Sequence, residues 1–373
     1  MAGETRMSTI QANAILDASG GNTTTINGVT PNTDTVRGRN LIINGAMQVA
    51  QRSTSAVTAT NGGYTTVDRW KTWEGTDGTF TTEQSTDAPD GFATSLKCQV
   101  TSADTSISSN QYVQLVQNIE GLNLQSLAYG TSSAKTITVS FWVKSNKTGI
   151  YAMTFVKDAC SGTRYQYPKE YTINAANTWE KKEITISPSS LIQATPAAIW
   201  NSNQNAVDLY FNLALGTAYN GGTDGLWEDV SGGYHYSTTN LVNWMDSTSN
   251  NFYITGVKLE VGSVATEFDH RSYGEDLALC QRYYETDMPE GGSDTRYSMN
   301  MNTTSSHYTQ ESFQVTKRAV PTITVNQTYN DDLTVAVSTG TTSRHHAGFA
   351  LSNGGTINAR ALAEFNWTAD AEL

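Results

Sequence analysis

Apolar and polar residues alternate at a strict period of two along much of the chain. Ile137, Val139, Phe141 and Val143 alternate with Thr138, Ser140, Trp142 and Lys144. Val207, Leu209, Phe211, Leu213 and Leu215 alternate with Asp208, Tyr210, Asn212 and Ala214, and Val257, Leu259 and Val261 with Lys258 and Glu260. Successive strand side chains point to opposite faces, so this phase predicts strands with one buried face. Each large inner residue contributes about 1.5–3 kcal/mol when fully buried, and a one-residue slip would expose the whole row, which holds the register. Residues 113–119, 151–156 and 184–186 read the same way, between polar, Gly-containing turns. Many short alternating strands predict an all-β fold, a jelly roll or β-sandwich over residues 40–272.

One segment changes period. Residues 274–285 place Leu277, Cys280 and Tyr284 on one helical face, with Glu275 and Asp276 where the helix dipole favours carboxylates and Ser272 as cap. This predicts a helical connector over 273–285. Strands then resume in Tyr297, Met299 and Met301, in Phe313 and Val315, in Ile323 and Val325 after Pro321, and in Leu333, Val335 and Val337. They predict a smaller C-terminal β domain over 286–373. No solenoid period is visible, which disfavours a β-helix.

Residues 1–39 differ. The stretch from Ser19 to Thr25 is polar, and Ile10, Ile15, Leu16, Ile26 and Val29 are sparse anchors. Such a segment cannot offset its own ordering entropy and is expected to be an extended N-terminal arm that orders only against a neighbour. Asn27-Gly28 predicts a small hairpin or bend within it.

Composition agrees with strands. Charged residues are 16%, against about 25% in typical domains; Thr, Ser, Asn and Gly fill the gap and suit strand faces and turns. The net charge is −12. The nearest basic groups, Arg37 with Arg39 and Lys181 with Lys182, make no stripe, so the chain is expected to bind no nucleic acid and no anionic membrane. The first ten residues carry Glu4 and Arg6 and no apolar h-region, and no run approaches the roughly 20 residues of a membrane span, so no membrane insertion is expected. Cys98, Cys160 and Cys280 are odd in number and far apart, and are expected to be reduced thiols in a protein made in a cytosol.

Several blocks carry a resemblance. Residues 40–52 read NLIINGAMQVAQR; Val67-Asp68-Arg69-Trp70, Ile119-Glu120-Gly121-Leu122, residues 139–145 and residues 252–262 (FYITGVKLEVG) follow in order, and residues 268–284 read FDHRSYGEDLALCQRYY. Together they resemble a family of phage and prophage tail-fibre-like virion structural proteins over most of residues 40–285, with a weaker match at Arg318–Ile323. The resemblance implies a carbohydrate-binding-module-like jelly roll, no catalytic motif, a homotrimer, a place on the virion surface or tail after synthesis in the host cytoplasm, and contact with other virion proteins through the N-terminal arm. The blocks also read as architecture. Residues 40–52 would enter the sandwich as an early strand, Asp68 and Arg69 would pair beside Trp70, and residues 268–284 would close the domain.

Sugar binding needs aromatic platforms flanked by polar side chains. The best candidate is the loop from Trp227 to Trp244, with Tyr234, Tyr236, Asp224, Asp229 and Asn240 in a setting of paired glycines; the alternative is a cover for a loop or a subunit interface. On this reading changing Trp227 and Tyr236 to Ala would abolish binding to host cells without unfolding the protein. Trp70 and Trp73 form a second candidate. His345 and His346 are adjacent, so on a strand they face opposite ways. Asp224, Glu228 and Asp229 lack calcium-loop spacing, and no metal or other cofactor is expected. The carboxylate pairs Asp68 with Glu74 and Glu228 with Asp229 are of a kind any acidic chain supplies, and no nucleophile or phosphate-loop motif is present. The expectation is a non-enzymatic tail fibre or tail appendage attaching to a host-surface glycan. The alternatives are a capsid-surface decoration without a receptor role and a polysaccharide depolymerase spike.

Overall fold

The alternating runs become strands of two antiparallel six-stranded sheets. The computed structural model describes residues 40–158, 163–230, 233–287, 295–299, 307–331, 333–352 and 361–373. The N-terminal arm with its Asn27-Gly28 turn, Cys160 and Met301 lie outside them. In chain order the sandwich strands are β1 (Val57–Thr58), β2 (Lys71–Glu74), β3 (Thr79–Ser85), β4 (Ser95–Ser102), β5 (Tyr112–Glu120), β6 (Ile137–Ser145), β7 (Gly149–Lys157), β8 (Tyr165–Ile173), β9 (Glu180–Ile186), β10 (Asn205–Leu215), β11 (Glu228–Asp229) and β12 (Asn251–Val261). The first sheet has the order β1-β3-β4-β12-β6-β9 and the second β11-β8-β7-β10-β5-β2.

The buried phase of each run faces the other sheet. Val139, Phe141 and Val143 of β6 meet Leu209, Phe211 and Leu213 of β10 in one apolar core. The Phe141 and Phe211 rings touch edge to face, centroids 4.9 Å apart. The fold is thus an all-β sandwich, followed by one short helix and a smaller β unit.

Residues 40–52 are not the early strand that their pattern suggests. They form a turn in which Asn44 and Met47 have φ of 56° and 58°. The Asn44 side chain closes it, accepting from Val49 N (3.0 Å) and donating to Val49 O (2.8 Å) and Asp68 O (2.9 Å). Gly45 lies so close to β12 that a Cβ would stand 2.1 Å from Val257 O. Ile42 and Met47 enter the main core, while Ile43 and Val49 face Cys280 and Tyr283. That division of burial needs a turn, since a strand buries alternate residues on one face.

Helix α1 (Tyr273–Gln281) starts with a capping box between Ser272 and Glu275. It stops earlier than periodicity implies, because Tyr284 enters strand β13 (Tyr284–Thr286). The remaining strands are β14 (Thr295–Met299), β15 (His307–Ser312), β16 (Thr322–Asp331), β17 (Thr334–Val337), β18 (His346–Ser352) and β19 (Ala361–Asp370). Strand β19 pairs with β13, β14 and β16, and β18 lies between β15 and β17. Phe349, Leu351, Phe365 and Trp367 form the core of this smaller unit. Phe313 and Val315, expected in a strand, both lie beyond the end of β15, Val315 in a bend.

The expected Asp68–Arg69 pair is not formed. Arg69 has φ of 72°, which turns its side chain away from its neighbour. Its guanidinium pairs with Glu372 and lies 3.5 Å from the Tyr283 ring centroid. Asp68 instead faces Arg52 at 3.7 Å and accepts from the Gln51 backbone at 3.0 Å. Arg52 also reaches Asp370 (3.3 Å) and Glu372 (3.4 Å), while Arg318 donates to Ala371 O and Glu372 O, both at 2.8 Å. The segment after β19 is therefore stapled to the sandwich by buried charges. Removing one partner of such a pair leaves the other uncompensated and costs about 3–5 kcal/mol.

Arg52 and Asp68 of this network respond differently to burial. Burial works against the Arg52 charge, but Glu372, Asp68 and Asp370 outweigh it and raise the pKa. Burial lifts the Asp68 carboxyl to about 6, with Arg52 opposing and Glu372 assisting. The unfolded value is about 3.9, so between the two the native state binds the extra proton. The Asp68 contribution therefore favours folding more as pH falls through 6 and is unfavourable above it. On going from about pH 7 to about pH 5, the urea midpoint should change more favourably in the wild type than in Asp68→Asn. Equal changes in the two proteins would contradict this.

Candidate functional site

The second sheet has a polar outer face with an aromatic inlay. In β10 the phase opposite the core places Asp208, Tyr210 and Asn212 outward; in β5 it places Gln114, Val116 and Asn118 beside them, in register Asn118↔Asp208, Val116↔Tyr210 and Gln114↔Asn212. Strand β2 adds Lys71 opposite Val116 and Trp73 opposite Gln114. On the other side β7 adds Val156 and Thr154. Val116, Val156 and Tyr210 form a buried patch separate from the main core, with Trp73 and Tyr236 packed on it.

Residues 233–237 lie across this face. Tyr236 packs on Tyr210 with ring centroids 4.7 Å apart, and Tyr234 stacks on Tyr236 at 5.9 Å and 3°. Tyr219 continues the row at 6.2 Å from Tyr236, and Tyr112 meets Tyr219 edge-on at 5.6 Å. The backbone holds the rings in place. Tyr236 N donates to Tyr219 O (2.7 Å), His235 N to Gln166 Oε1 (3.1 Å) and Gly222 N to Ser237 O (2.9 Å). Tyr236 O accepts from Asn212 Nδ2 (2.7 Å) and from Thr154 Oγ1.

Between loop and sheet lies a cleft of about 430 Å³, with Trp73, Tyr112, Tyr210, Tyr219, Tyr234 and Tyr236 among its walls. Among the described residues its charged side chains are two acids and two bases. Arg164 binds Asp158 through Nε (2.8 Å) and a terminal nitrogen, and sits 5.2 Å from the Tyr234 ring centroid. Asn205 Nδ2 bridges Asp158 (2.9 Å) and Asp208 (2.6 Å), and Asn118 also donates to Asp208. Lys71 lies 5.0 Å from the Trp73 ring and donates to Leu373 O at 3.3 Å. Burial, then the neighbouring Asp158 charge, raises the Asp208 pKa; burial lowers that of Lys71, with Asp208 opposing. A larger groove of about 780 Å³ runs between α1 and the C-terminal unit. Of its two rings Trp367 is buried and Tyr273 exposed, so it lacks a row of platforms.

The residues expected to bind sugar are divided by the fold. Tyr234 and Tyr236 line the cleft. Trp227 does not: it is buried among Tyr129, Phe155 and Tyr167 and donates from Nε1 to Ser187 O at 2.9 Å. Trp244 is fully buried against Phe80 at 5.7 Å. Neither indole can offer a face to a ligand, because the loop uses both to close the sandwich. Asp224 pairs with Lys169 and accepts from Glu170 N, Asn240 Nδ2 donates to the Glu170 carboxylate, and Asp229 sits in β11; all three lie outside the cleft. Of the second candidate, Trp70 is buried against Phe211, whereas Trp73 lines the cleft. His345 contacts Thr316 and His346 contacts Ser343, so the two rings serve separate partners. Periodicity alone missed Tyr112, Arg164, Tyr210 and Tyr219. For Tyr210 a signal was present: an aromatic on the polar phase of a strictly alternating strand.

No protein-family model and no curated protein matches the chain. Among solved structures it is similar to the enzymatically active domain of bacteriophage CBA120 tailspike protein 4, at 13% identity and a TM-score of 0.30 over 60% of this chain. The chain spans only 21% of the length of that tailspike structure. A putative sugar binding protein from Bacteroides thetaiotaomicron is 13% identical, with a TM-score of 0.31 over 60% of this chain and 100% of that one. The family 11 carbohydrate-binding module of the Clostridium thermocellum cellulase Lic26A-Cel5E is 11% identical, with a TM-score of 0.29 over 58% of this chain and 99% of that one. At such identities and scores nothing about the cleft follows from them.

The two classes of loop aromatic separate by stability. Trp227→Ala should lower unfolding free energy by about 3–5 kcal/mol through the cavity it opens. Tyr234→Ala, at an exposed ring, should stay within about 0.5 kcal/mol. Urea titration checks both, and a mild Trp227→Ala would contradict its burial.

Proposed function

We propose that the chain is a carbohydrate-binding component of a bacteriophage virion, a tail fibre or tail appendage that attaches to a host-surface glycan without catalysis. The observation that carries this reading is the pinned row of rings in a cleft edged by side-chain amides. Aromatic faces stack on the apolar faces of sugars, and amide groups bond their hydroxyls. The platforms are held by main-chain bonds, so little entropy is lost when a ligand settles on them. Support for a binding rather than a hydrolytic role comes from the two cleft carboxylates. Asp158 is engaged by Arg164 and Asn205, and Asp208 by Asn118 and Asn205.

The blocks from Asn40 to Tyr284 that resemble the tail-fibre-like family support the placement on a virion. In this proposal the chain forms a homotrimer, residues 1–39 join it to other virion proteins, and the sandwich points outward. Mass action in the particle adds stability to such an assembly.

The test is glycan-array and whole-cell binding by the full chain and its Tyr236→Ala variant. Loss of the stacked ring should weaken binding about tenfold or more, with the melting transition retained. Wild-type binding by a folded Tyr236→Ala protein would overturn the proposal, as would failure of the wild type to bind any glycan or host surface.

A further inference from the structure

We infer that the cleft selects an uncharged glycan, laid along the ring row between Tyr234 and Trp73, over acidic sugars. This rests on the glycan-binding reading above and adds the class of sugar.

The charges in the cleft are already balanced against one another. Among the described residues, the charged side chains lining the cleft are Lys71, Arg164, Asp158 and Asp208, two of each sign. The adjoining chain segments, residues 159–162 (ACSG) and 231–232 (SG), contain no Asp, Glu, Lys, Arg or His. Arg164 already holds Asp158 with two nitrogens and covers the Tyr234 ring. Lys71 is only 7% exposed, lies beside the Trp73 ring and feels Asp208 as its strongest favourable charge. A sugar carboxylate or sulfate would have to pull Arg164 off Asp158, or draw on a lysine whose charge burial already disfavours. Either route leaves a desolvated charge without its partner, a loss that a new pair does not fully recover.

Long-range forces point the same way. The chain carries a net charge of −12, and such a field repels a polyanion on approach. An uncharged sugar breaks no ion pair. It gains ring faces, and the phenols of Tyr112 and Tyr219 are at the wall to bond hydroxyls.

The test uses the full chain against a panel of polysaccharides: neutral glucan, galactan and mannan, carboxylated polygalacturonate and hyaluronan, and cationic chitosan. Binding is read at about 50 mM and about 500 mM NaCl, which screens exposed charges strongly. The expected result is binding to at least one neutral member, changed less than about twofold by salt and reduced about tenfold or more in Tyr236→Ala. Binding confined to acidic or cationic members, or falling about tenfold with salt, while remaining sensitive to Tyr236→Ala, would overturn the charge-balance inference and leave the glycan site standing. Binding to no member, or binding indifferent to Tyr236→Ala in a folded protein, would overturn both.

Discussion

Asn212 sits in the middle of the second sheet with no access to solvent, so its amide must be satisfied by protein. Its oxygen accepts from Gln114 Nε2 at 2.7 Å, and its nitrogen donates to Ala152 O, Thr154 Oγ1 and Tyr236 O. A buried amide left without partners costs about 1–3 kcal/mol. The last of these bonds is the one that matters for the cleft. It converts the need to satisfy a buried polar position on the outer face into an anchor for the loop, and the anchor sets where the Tyr234 and Tyr236 rings stand. A loop that would otherwise move over a sheet becomes one wall of a preformed cleft.

The other wall depends on charge buried some distance away. Arg69 holds Glu372, and the next residue, Leu373, accepts from Lys71 at the cleft's edge. Tyr64 bridges the same region, its hydroxyl donating to Leu373 O and Asn118 Oδ1, both at 3.3 Å. The staple that joins the C-terminal unit to the sandwich therefore also shapes the site. The family-like blocks converge on this staple rather than on the cleft: Asp68 and Arg69 come from one, Tyr283 and Tyr284 from another, and Asn44 and Gln51 from a third. Their chemistry is that of architecture, with positive φ at Asn44 and Arg69 and buried amides in place of regular pairing.

Much of the scaffold was legible because burial on one face leaves a period of two, as in β6, β10 and β12. Helix α1 was legible from Ser272 and Glu275, although its end was not, since Tyr284 follows a sheet rather than a helical face. Residues 40–52 misled because their apolar residues divide between two clusters, and no periodicity encodes that. The loop candidates divided for a related reason. Trp227, Tyr234, Tyr236 and Trp244 look alike in sequence, and only the packing decides that two rings plug the core and two lie outside it. The cleft itself draws Trp73, Tyr112, Tyr210 and Tyr219 from separate elements, so its existence is a property of strand order.

The most direct measurement is hydrogen–deuterium exchange of the full chain with and without a bound glycan. The account predicts slowed exchange in peptides covering residues 71–74, 112–118, 205–219 and 233–237, with none in residues 307–331 of the C-terminal unit. Protection confined to the C-terminal unit or to the groove beside α1, with the Tyr236 loop unaffected, would contradict it.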